Sequence, residues 1–296
     1  LAADLDNSLL FVGRRDLPCV TSYRFNSLTG DLIHVDDGPK LEGDPCYISL
    51  DKTNRYVLAA YYEAGAVSVH SNNQGIFTGE KVWMQTGNGA HCIFTDPDNS
   101  HALLPHIAGE RGINTILKYD FNEDTGMLSP SETESVKQPD NRGPRHYTFH
   151  PSGEYVFFSN EQDSSVTSYR YQQGDMEELQ TISTLPAHYA GVNTCAQIKI
   201  TPNGKFIYAP NRGHNSVAGF SVNSNTGQLK SIGRTQTEAI PRVLDIDGTG
   251  QFLYSAGLGT GFISVFRISD IGNLQFIDRF QVGKEPMWIL VLPVFE

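Results

Sequence analysis

Charged side chains stand at both ends of one strand–turn–strand segment of the sequence. In GPRHYTFHPSGEYVFFSNE, Arg145 and His146 lie where the first predicted strand begins, and Glu161 lies where the second one ends. The two sequence ends of an antiparallel hairpin are neighbours in space. Guanidinium groups bind carboxylate or phosphate in a planar, two-pronged geometry, and an imidazole with an ordinary pKa of about 6.5 can transfer a proton at neutral pH. The segment therefore indicates a site that binds a small anion.

Similar segments recur along the whole chain. The residues just before the first strand of each segment are Pro45, Ala90, Pro144, Cys195, Pro241 and Pro286. Each unit reads as four short strands, A to D, with a tight turn after strand A and an aromatic-rich strand B. A period of about 45 residues with four strands is typical of a β-propeller blade, and no amphipathic helical pattern of useful length interrupts it.

We predict an all-β fold, a single seven-bladed β-propeller domain over residues 1–296. The predicted repeats are 1–42, 43–88, 89–140, 141–190, 191–237, 238–282 and a partial repeat, 283–296. The last repeat, with GKEPMWILVLPV, supplies only one strand A. Closed propellers commonly build their last blade from both termini, which removes exposed sheet edges. We therefore expect both termini to close this blade, with three N-terminal strands that precede Leu1 missing from this sequence. The alternative is a six-bladed ring with a C-terminal extension.

The predicted topology brings residues before strand A and residues after strand B to one mouth of the channel. The residues before or at the start of strand A are His91, Arg145, His146, Arg242 and Trp288. Those after strand B are Arg14, Arg15, Tyr61, Tyr62, His106, Glu161, Asn211, Arg212 and His214. Gathered there, the arginines would bind a small anion, or alternatively they would bridge adjacent blades through salt links.

Two of these residues are open to more than one interpretation. Arginine neighbours should lower the pKa of Glu161 and keep it ionised, as a general base or as a structural counter-ion. His91 could transfer a proton or could be a satisfied channel histidine.

The composition of the chain argues against some classes of binding partner. The formal net charge of −11 argues against nonspecific binding to nucleic acid or to an anionic membrane. No apolar run reaches the roughly 18 residues that span a bilayer. The cysteines have no paired spacing, so we expect free thiols in a reducing compartment and a cytoplasmic protein.

We expect no metal site. DIDGTG, from Asp245 to Gly250, lacks the remaining ligands of a calcium loop and is interpreted as turn chemistry. His146 and His150 have no evident third zinc ligand. No GxSxG motif indicates a serine nucleophile.

Five motifs together resemble the seven-bladed β-propeller lactonase family. They are HCIFTDPDN, GPRHYTFHPSGEYVFFSNEQDSSV, IKITPNGKFIYAPNRGHNSVAGF, IPRVLDIDGTGQFLYSAG and VGKEPMWILVL. The resemblance covers essentially the whole chain. The family contains the propeller-type 6-phosphogluconolactonases and the fungal carboxymuconate-lactonizing enzymes.

The resemblance implies a metal-independent hydrolase that opens an anionic sugar lactone without a cofactor. By motif, the catalytic residues would be His91, Arg145, Glu161 and Arg212. We expect Arg242, His146 and His214 to bind substrate at the same mouth.

The most favoured substrate is 6-phosphogluconolactone of the pentose phosphate pathway. The alternatives are a carboxymuconate cycloisomerase and a non-catalytic propeller scaffold. Ala90 and Gln197 depart from residues common in the family, which leaves the exact lactone open.

Overall fold

The fold is built from antiparallel sheets. A computed structural model describes residues 1–109, 112–132 and 135–294, leaving out the side chains of residues 80 and 81. These residues form 25 strands in six sheets and contain no helix, which confirms the all-β class. None of them therefore belongs to a helix long and apolar enough to cross a membrane.

Leu1–Asp140 belong to a first compact unit with three sheets. Its strands are β1 (Ala2–Asp4), β2 (Leu9–Arg14), β3 (Cys19–Phe25), β4 (Leu32–Asp37), β5 (Tyr47–Leu50), β6 (Tyr56–Tyr61), β7 (Ala66–Asn73), β8 (Ile76–Gln85), β9 (Phe94–Thr95), β10 (His101–His106), β11 (Thr115–Phe121), β12 (Leu128–Pro130) and β13 (Val136–Lys137). The sheet orders are β1-β2-β3-β4, β5-β6-β7-β8 and β12-β11-β10-β9, with β13 also paired to β11.

Asn141–Leu292 form a second compact unit, also with three sheets. Its strands are β14 (Pro144–Phe149), β15 (Tyr155–Asn160), β16 (Ser165–Gln172), β17 (Asp175–Ser183), β18 (Lys199–Ile200), β19 (Phe206–Asn211), β20 (Ser216–Val222), β21 (Leu229–Gln236), β22 (Pro241–Ile246), β23 (Phe252–Gly257), β24 (Phe262–Ile268) and β25 (Leu274–Gln281). Each sheet keeps sequence order. The predicted single domain and its repeat boundaries stay predictions.

In two sheets of the second unit the second strand is fully buried. Every residue of β15 and of β19 is buried. Phe157 packs in one cluster with Ile207 and Phe220 of the next sheet. The fourth strands are more exposed, and β25 has only one residue that is not exposed. The rigid apolar strands thus hold the loops at their ends in place.

A β-bulge places Arg145. Pro144 pairs with Asn160 and His146 pairs with Ser159, so Arg145 is an extra residue on β14. A bulge leaves its extra residue out of the ladder and re-aims the side chain.

Three other sheets carry the same insertion near the start of their first strand. On β22, Arg242 is the extra residue between two paired neighbours. The remaining pairs are the bridge Ala90↔His106 before Phe94↔Leu103, and the bridge Cys195↔Asn211 before Lys199↔Tyr208. In both sheets, the distance along the chain between the two paired positions is four residues on the first strand and three on the second. His91 and Arg242 therefore stand at positions equivalent to Arg145.

The segment after β25 is not the strand that the sequence predicted. Residues 282–294 form no strand, because a strand is defined by a hydrogen-bonded neighbour and no described strand pairs with them. The segment instead docks beside β22, where the Val291 amide donates to Asp245 at 2.8 Å and Ile289 packs against Val243 and Ala256. The described residues thus hold six sheets rather than seven. The three strands before Leu1 and the shared last blade stay predictions, and residues 295–296 of the last predicted repeat lie outside the described ones.

Candidate active site

One carboxylate of the second unit binds two arginines. The Nε of Arg145 lies 2.6 Å from one side-chain oxygen of Glu161, and a terminal nitrogen of Arg212 lies 3.0 Å from the other. The side chain of Arg145 is 2% exposed, whereas those of Glu161 and Arg212 are 14% and 15% exposed. The structure therefore brings three of the four predicted catalytic residues into direct contact. They are called the Arg–Glu–Arg cluster below.

Backbone hydrogen bonds hold this cluster between two sheets of the unit. The Glu161 amide donates to the Gly143 carbonyl at 2.6 Å, and the Glu161 carbonyl accepts from the Cys195 amide at 3.0 Å. The Arg212 amide donates to the Thr194 carbonyl at 3.0 Å. Its guanidinium also donates to the Cys195 carbonyl at 2.9 Å. The side chains therefore project from fixed backbone, as a preorganised site requires.

The electrostatics of the cluster favour an ionised Glu161. Burial by itself would raise the pKa of Glu161, but the charges and hydrogen bonds of Arg145 and Arg212 outweigh it and hold that pKa below its ordinary value. This confirms the prediction that the arginines lower the pKa of Glu161. Both carboxylate oxygens are engaged, so Glu161 is suited to be a counter-ion rather than a base. Two cations and one anion leave the cluster with a net positive charge.

The two histidines predicted beside the cluster occupy different settings. His146 is buried, and its ring centroid lies 6.2 Å from that of Trp288. His214 lies in the turn after β19, where its Nδ1 is 2.7 Å from the Ser216 hydroxyl. The edge-on ring of Tyr189 lies 4.8 Å from the His214 ring. His214 is half-buried and therefore accessible to a ligand.

His91 lies in the first unit. It is buried, its amide donates to the Pro105 carbonyl at 3.1 Å, and its ring centroid is 5.9 Å from that of Tyr62. His91 and Arg242 stand at bulge positions equivalent to that of Arg145 in their own sheets. Their functional roles stay predictions.

Two residues predicted at the mouth have local structural partners. His106 is fully buried, with its Nε2 3.1 Å from the Thr86 hydroxyl and its Nδ1 3.1 Å from the Leu104 carbonyl oxygen. Burial lowers the pKa of His106 to about 4, so it is a neutral interior histidine at pH 7. Arg14 forms an ion pair with Asp16.

The turn interpretation of DIDGTG is confirmed. The side chain of Asp247 accepts the amides of Gln251 at 2.9 Å and Phe252 at 2.7 Å, which closes the turn. Within the described part of the chain no group of three or more His, Cys, Asp or Glu side chains could hold a metal ion.

All four cysteines are free thiols. Cys195, next to the cluster, is fully buried, and burial raises its thiol pKa to about 12. A neutral thiol is a poor nucleophile, so Cys195 is not suited to covalent catalysis.

Sequence reasoning missed Asn193 and Tyr189. Both lie in the loop between β17 and β18, and both contact the turn that carries Arg212 and His214. The only sequence signal was the length of this connection, which lengthens one repeat interval.

Six antiparallel sheets, each with its strands in chain order, are typical of a β-propeller, and arginines at two of the four bulge positions mark a candidate anion site. The model of the family described as "Lactonase, 7-bladed beta-propeller" matches residues 1–291. The chain belongs to this family, and the resemblance found in the sequence is confirmed.

Similar proteins with assigned names support the family assignment. The chain is 34% identical over 287 residues to a 6-phosphogluconolactonase of Pectobacterium carotovorum, covering 96% of this chain and 84% of that protein. It is also 34% identical over 290 residues to a 6-phosphogluconolactonase of Cronobacter sakazakii, covering 97% and 85%. The predicted enzyme class, a lactonase, is confirmed by these matches.

Solved structures share the fold. A periplasmic gluconolactonase of Pseudomonas aeruginosa superposes with a TM-score of 0.87 at 23% identity, covering 96% of this chain and 85% of that one. A protein of Bacteroides uniformis titled a putative 6-phosphogluconolactonase gives a TM-score of 0.86 at 25% identity, covering 97% and 85%.

Proposed function

We propose that this lactonase hydrolyses 6-phosphogluconolactone, the anionic sugar lactone of the pentose phosphate pathway. The relatives named above support the substrate, and the Arg–Glu–Arg cluster is the observation that carries the proposal. An acidic chain, with a net charge of −11, places two partly or fully buried arginines on one carboxylate. The surplus positive charge suits an anionic ligand.

Arg212 is the member of the cluster best placed to meet that ligand. Its side chain is more exposed than that of Arg145. Its Nε is buried and has no hydrogen-bond partner among the described residues.

Opening the lactone requires water to attack the ester carbonyl carbon. A base takes a proton from the water, the carbonyl oxygen becomes an oxyanion, and the bond to the ring oxygen then breaks as that oxygen is protonated. The products are a carboxylate, a free hydroxyl and one released proton. The arginines would stabilise the oxyanion and hold the phosphate.

We assign the general base to His91, since both oxygens of Glu161 already accept from an arginine and its lowered pKa makes it a weaker base. Arg242, His146 and His214 would bind the rest of the substrate. We expect no cofactor and no metal requirement. The four free thiols support a reducing, cytoplasmic location.

The experiment follows proton release during lactone hydrolysis and subtracts the spontaneous rate. Wild type is compared with Arg145→Ala and His91→Ala on 6-phosphogluconolactone, on the unphosphorylated lactone and on a carboxymuconolactone. We expect the phosphorylated lactone to be preferred, with kcat/KM reduced about a hundredfold or more in both variants. A preference for the carboxymuconolactone would assign the cyclase activity instead. Unchanged hydrolysis in both variants would reject the site, and activity lost to a chelator would reject the metal-free reaction.

A further inference from the structure

We propose that Asn193 is a positioning residue that fixes Arg212 against Glu161. The inference rests on the proposed function, because it assigns a task to a residue beside that site. Asn193 lies near the end of the loop that joins β17 to β18 and is half-buried.

The side-chain oxygen of Asn193 holds the turn that follows Arg212. It accepts the amide of Gly213 at 2.9 Å and the amide of His214 at 3.0 Å. These are the two residues directly after Arg212, so their bonds fix the backbone from which its side chain projects.

The side-chain nitrogen of Asn193 reaches two further points. It donates to the Ser164 hydroxyl at 2.9 Å and to the side-chain oxygen of Asn211 at 3.0 Å. Ser164 lies three residues after Glu161, and Asn211 lies directly before Arg212. One amide group therefore joins the turn after Glu161 to the turn that carries Arg212.

The contact also needs a close backbone approach. A Cβ atom at Gly213 would lie 1.9 Å from the Val192 carbonyl oxygen, which is far inside van der Waals contact. Only glycine lets the loop approach the turn closely enough for the two bonds to the side-chain oxygen of Asn193.

An asparagine amide can accept two hydrogen bonds and donate two, and Asn193 makes all four. An aspartate would lose both donors, and an alanine would lose all four bonds. The 3.0 Å ion pair between Arg212 and Glu161 would then lose the direct side-chain link between the two turns and depend on the backbone bonds through Thr194 and Cys195. Since small misplacements of a positioned group can lower a rate by about a hundredfold, Asn193 should affect turnover through Arg212.

A double-mutant cycle on kcat/KM tests this inference. We expect Asn193→Ala to lower kcat/KM about ten- to a hundredfold in the wild-type background. In the Arg212→Lys background Asn193→Ala should lower kcat/KM by less than about threefold, because lysine cannot reproduce the guanidinium contacts with Glu161 and the Cys195 carbonyl. Gly213→Ala should reproduce the effect from the other side of the contact. The control is Asn203→Ala, which removes the bonds to the Lys205 amide and the Thr201 hydroxyl in a different turn and should leave kcat/KM nearly unchanged.

A second readout is independent of turnover. Amide hydrogen exchange of Gly213 and His214 should be at least about tenfold faster in Asn193→Ala than in Asn203→Ala, because local opening sets the exchange rate. The positioning role would be overturned if Asn193→Ala lowered kcat/KM by the same factor with Arg212 and with Lys at that position. It would also be overturned if the exchange of the Gly213 and His214 amides did not change. A wild-type protein that hydrolyses no anionic lactone would reject the proposed function, and the exchange experiment would still decide whether Asn193 holds the turn.

Discussion

The guanidinium of Arg145 is buried against the carboxylate of Glu161, with 2.6 Å between the Nε and the nearer oxygen. The other oxygen of Glu161 binds Arg212 at 3.0 Å. Glu161 therefore compensates part of the charge of one buried and one half-buried arginine, and each of its oxygens accepts from one of them. The proposal that Glu161 is the counter-ion and His91 the base rests on this relationship. Three predictions test the cluster, and a fourth concerns His106.

Glu161→Gln should lower kcat/KM and leave the pH dependence of the reaction in place. The amide keeps the shape of the carboxylate but removes its charge, so the arginines are positioned less firmly. If His91 is the base, the acidic limb of the kcat/KM profile still reports its titration. The measurement is kcat/KM between pH 5 and 9 for both proteins. Loss of that limb in Glu161→Gln alone would make Glu161 the base.

Glu161→Gln should also be less stable than wild type at pH 7, by about 3 kcal/mol, because it leaves buried Arg145 and half-buried Arg212 without their counter-charge. The folded pKa of Glu161 lies below its ordinary value, so its contribution is present above that value and is lost as the pH falls through the folded pKa. Denaturant unfolding should show a smaller difference in the free energy of unfolding between wild type and Glu161→Gln in strong acid than at pH 7. Glu177→Gln breaks an exposed pair with Arg170 and should cost at most about 1 kcal/mol at either pH. A difference that does not depend on pH would contradict the linkage.

Arg145→Lys and Arg212→Lys should each reduce kcat/KM about tenfold or more. Lysine keeps the charge, but it cannot hold a carboxylate and a ligand with a planar fork. Arg142→Lys is the matched control, because Arg142 is nearby in sequence and its ion pair is with Glu178. Steady-state kinetics of the three variants at one pH is the measurement. An equal effect at Arg142 would mean that the loss reflects general destabilisation.

His106 should make the protein less stable as the pH falls from about 6.5 to about 4. Burial lowers its folded pKa to about 4 from the unperturbed value of 6.5. The unfolded chain therefore takes up a proton first, and the free energy of unfolding falls by about 1.4 kcal/mol per pH unit across that window. In His106→Gln this part of the slope should be absent, whereas the exposed control His188→Gln should keep it. Parallel slopes for wild type and His106→Gln would contradict the assignment.

The sequence alone predicted the hairpins, the all-β class and the contact of Arg145 with Glu161. Strand alternation and turn residues are local signals, and a hairpin brings its own two ends together. Arg212 could also be placed, because its sheet repeats the same unit.

Other features depend on packing that a single sequence does not record. The sequence marks His106 only as a polar residue at the end of a strand, whereas in the structure its surroundings bury it and hold it neutral. Asn193 lies in a long connection, where no periodicity indicates which side chain will meet which turn. The strand predicted in GKEPMWILVLPV required a neighbour that the described residues do not supply.

The extra residue at the start of β14 and β22 has a consequence for how such proteins diversify. Hydrogen bonding resumes immediately after Arg145 and after Arg242, so the ladder pairs of each sheet do not include the residue at that position. The repeat thus provides equivalent bulge positions at which the side chain can differ while the strand pairing stays the same. A substitution at such a position changes the side chain presented at the strand start and leaves the ladder pairs on both sides in place.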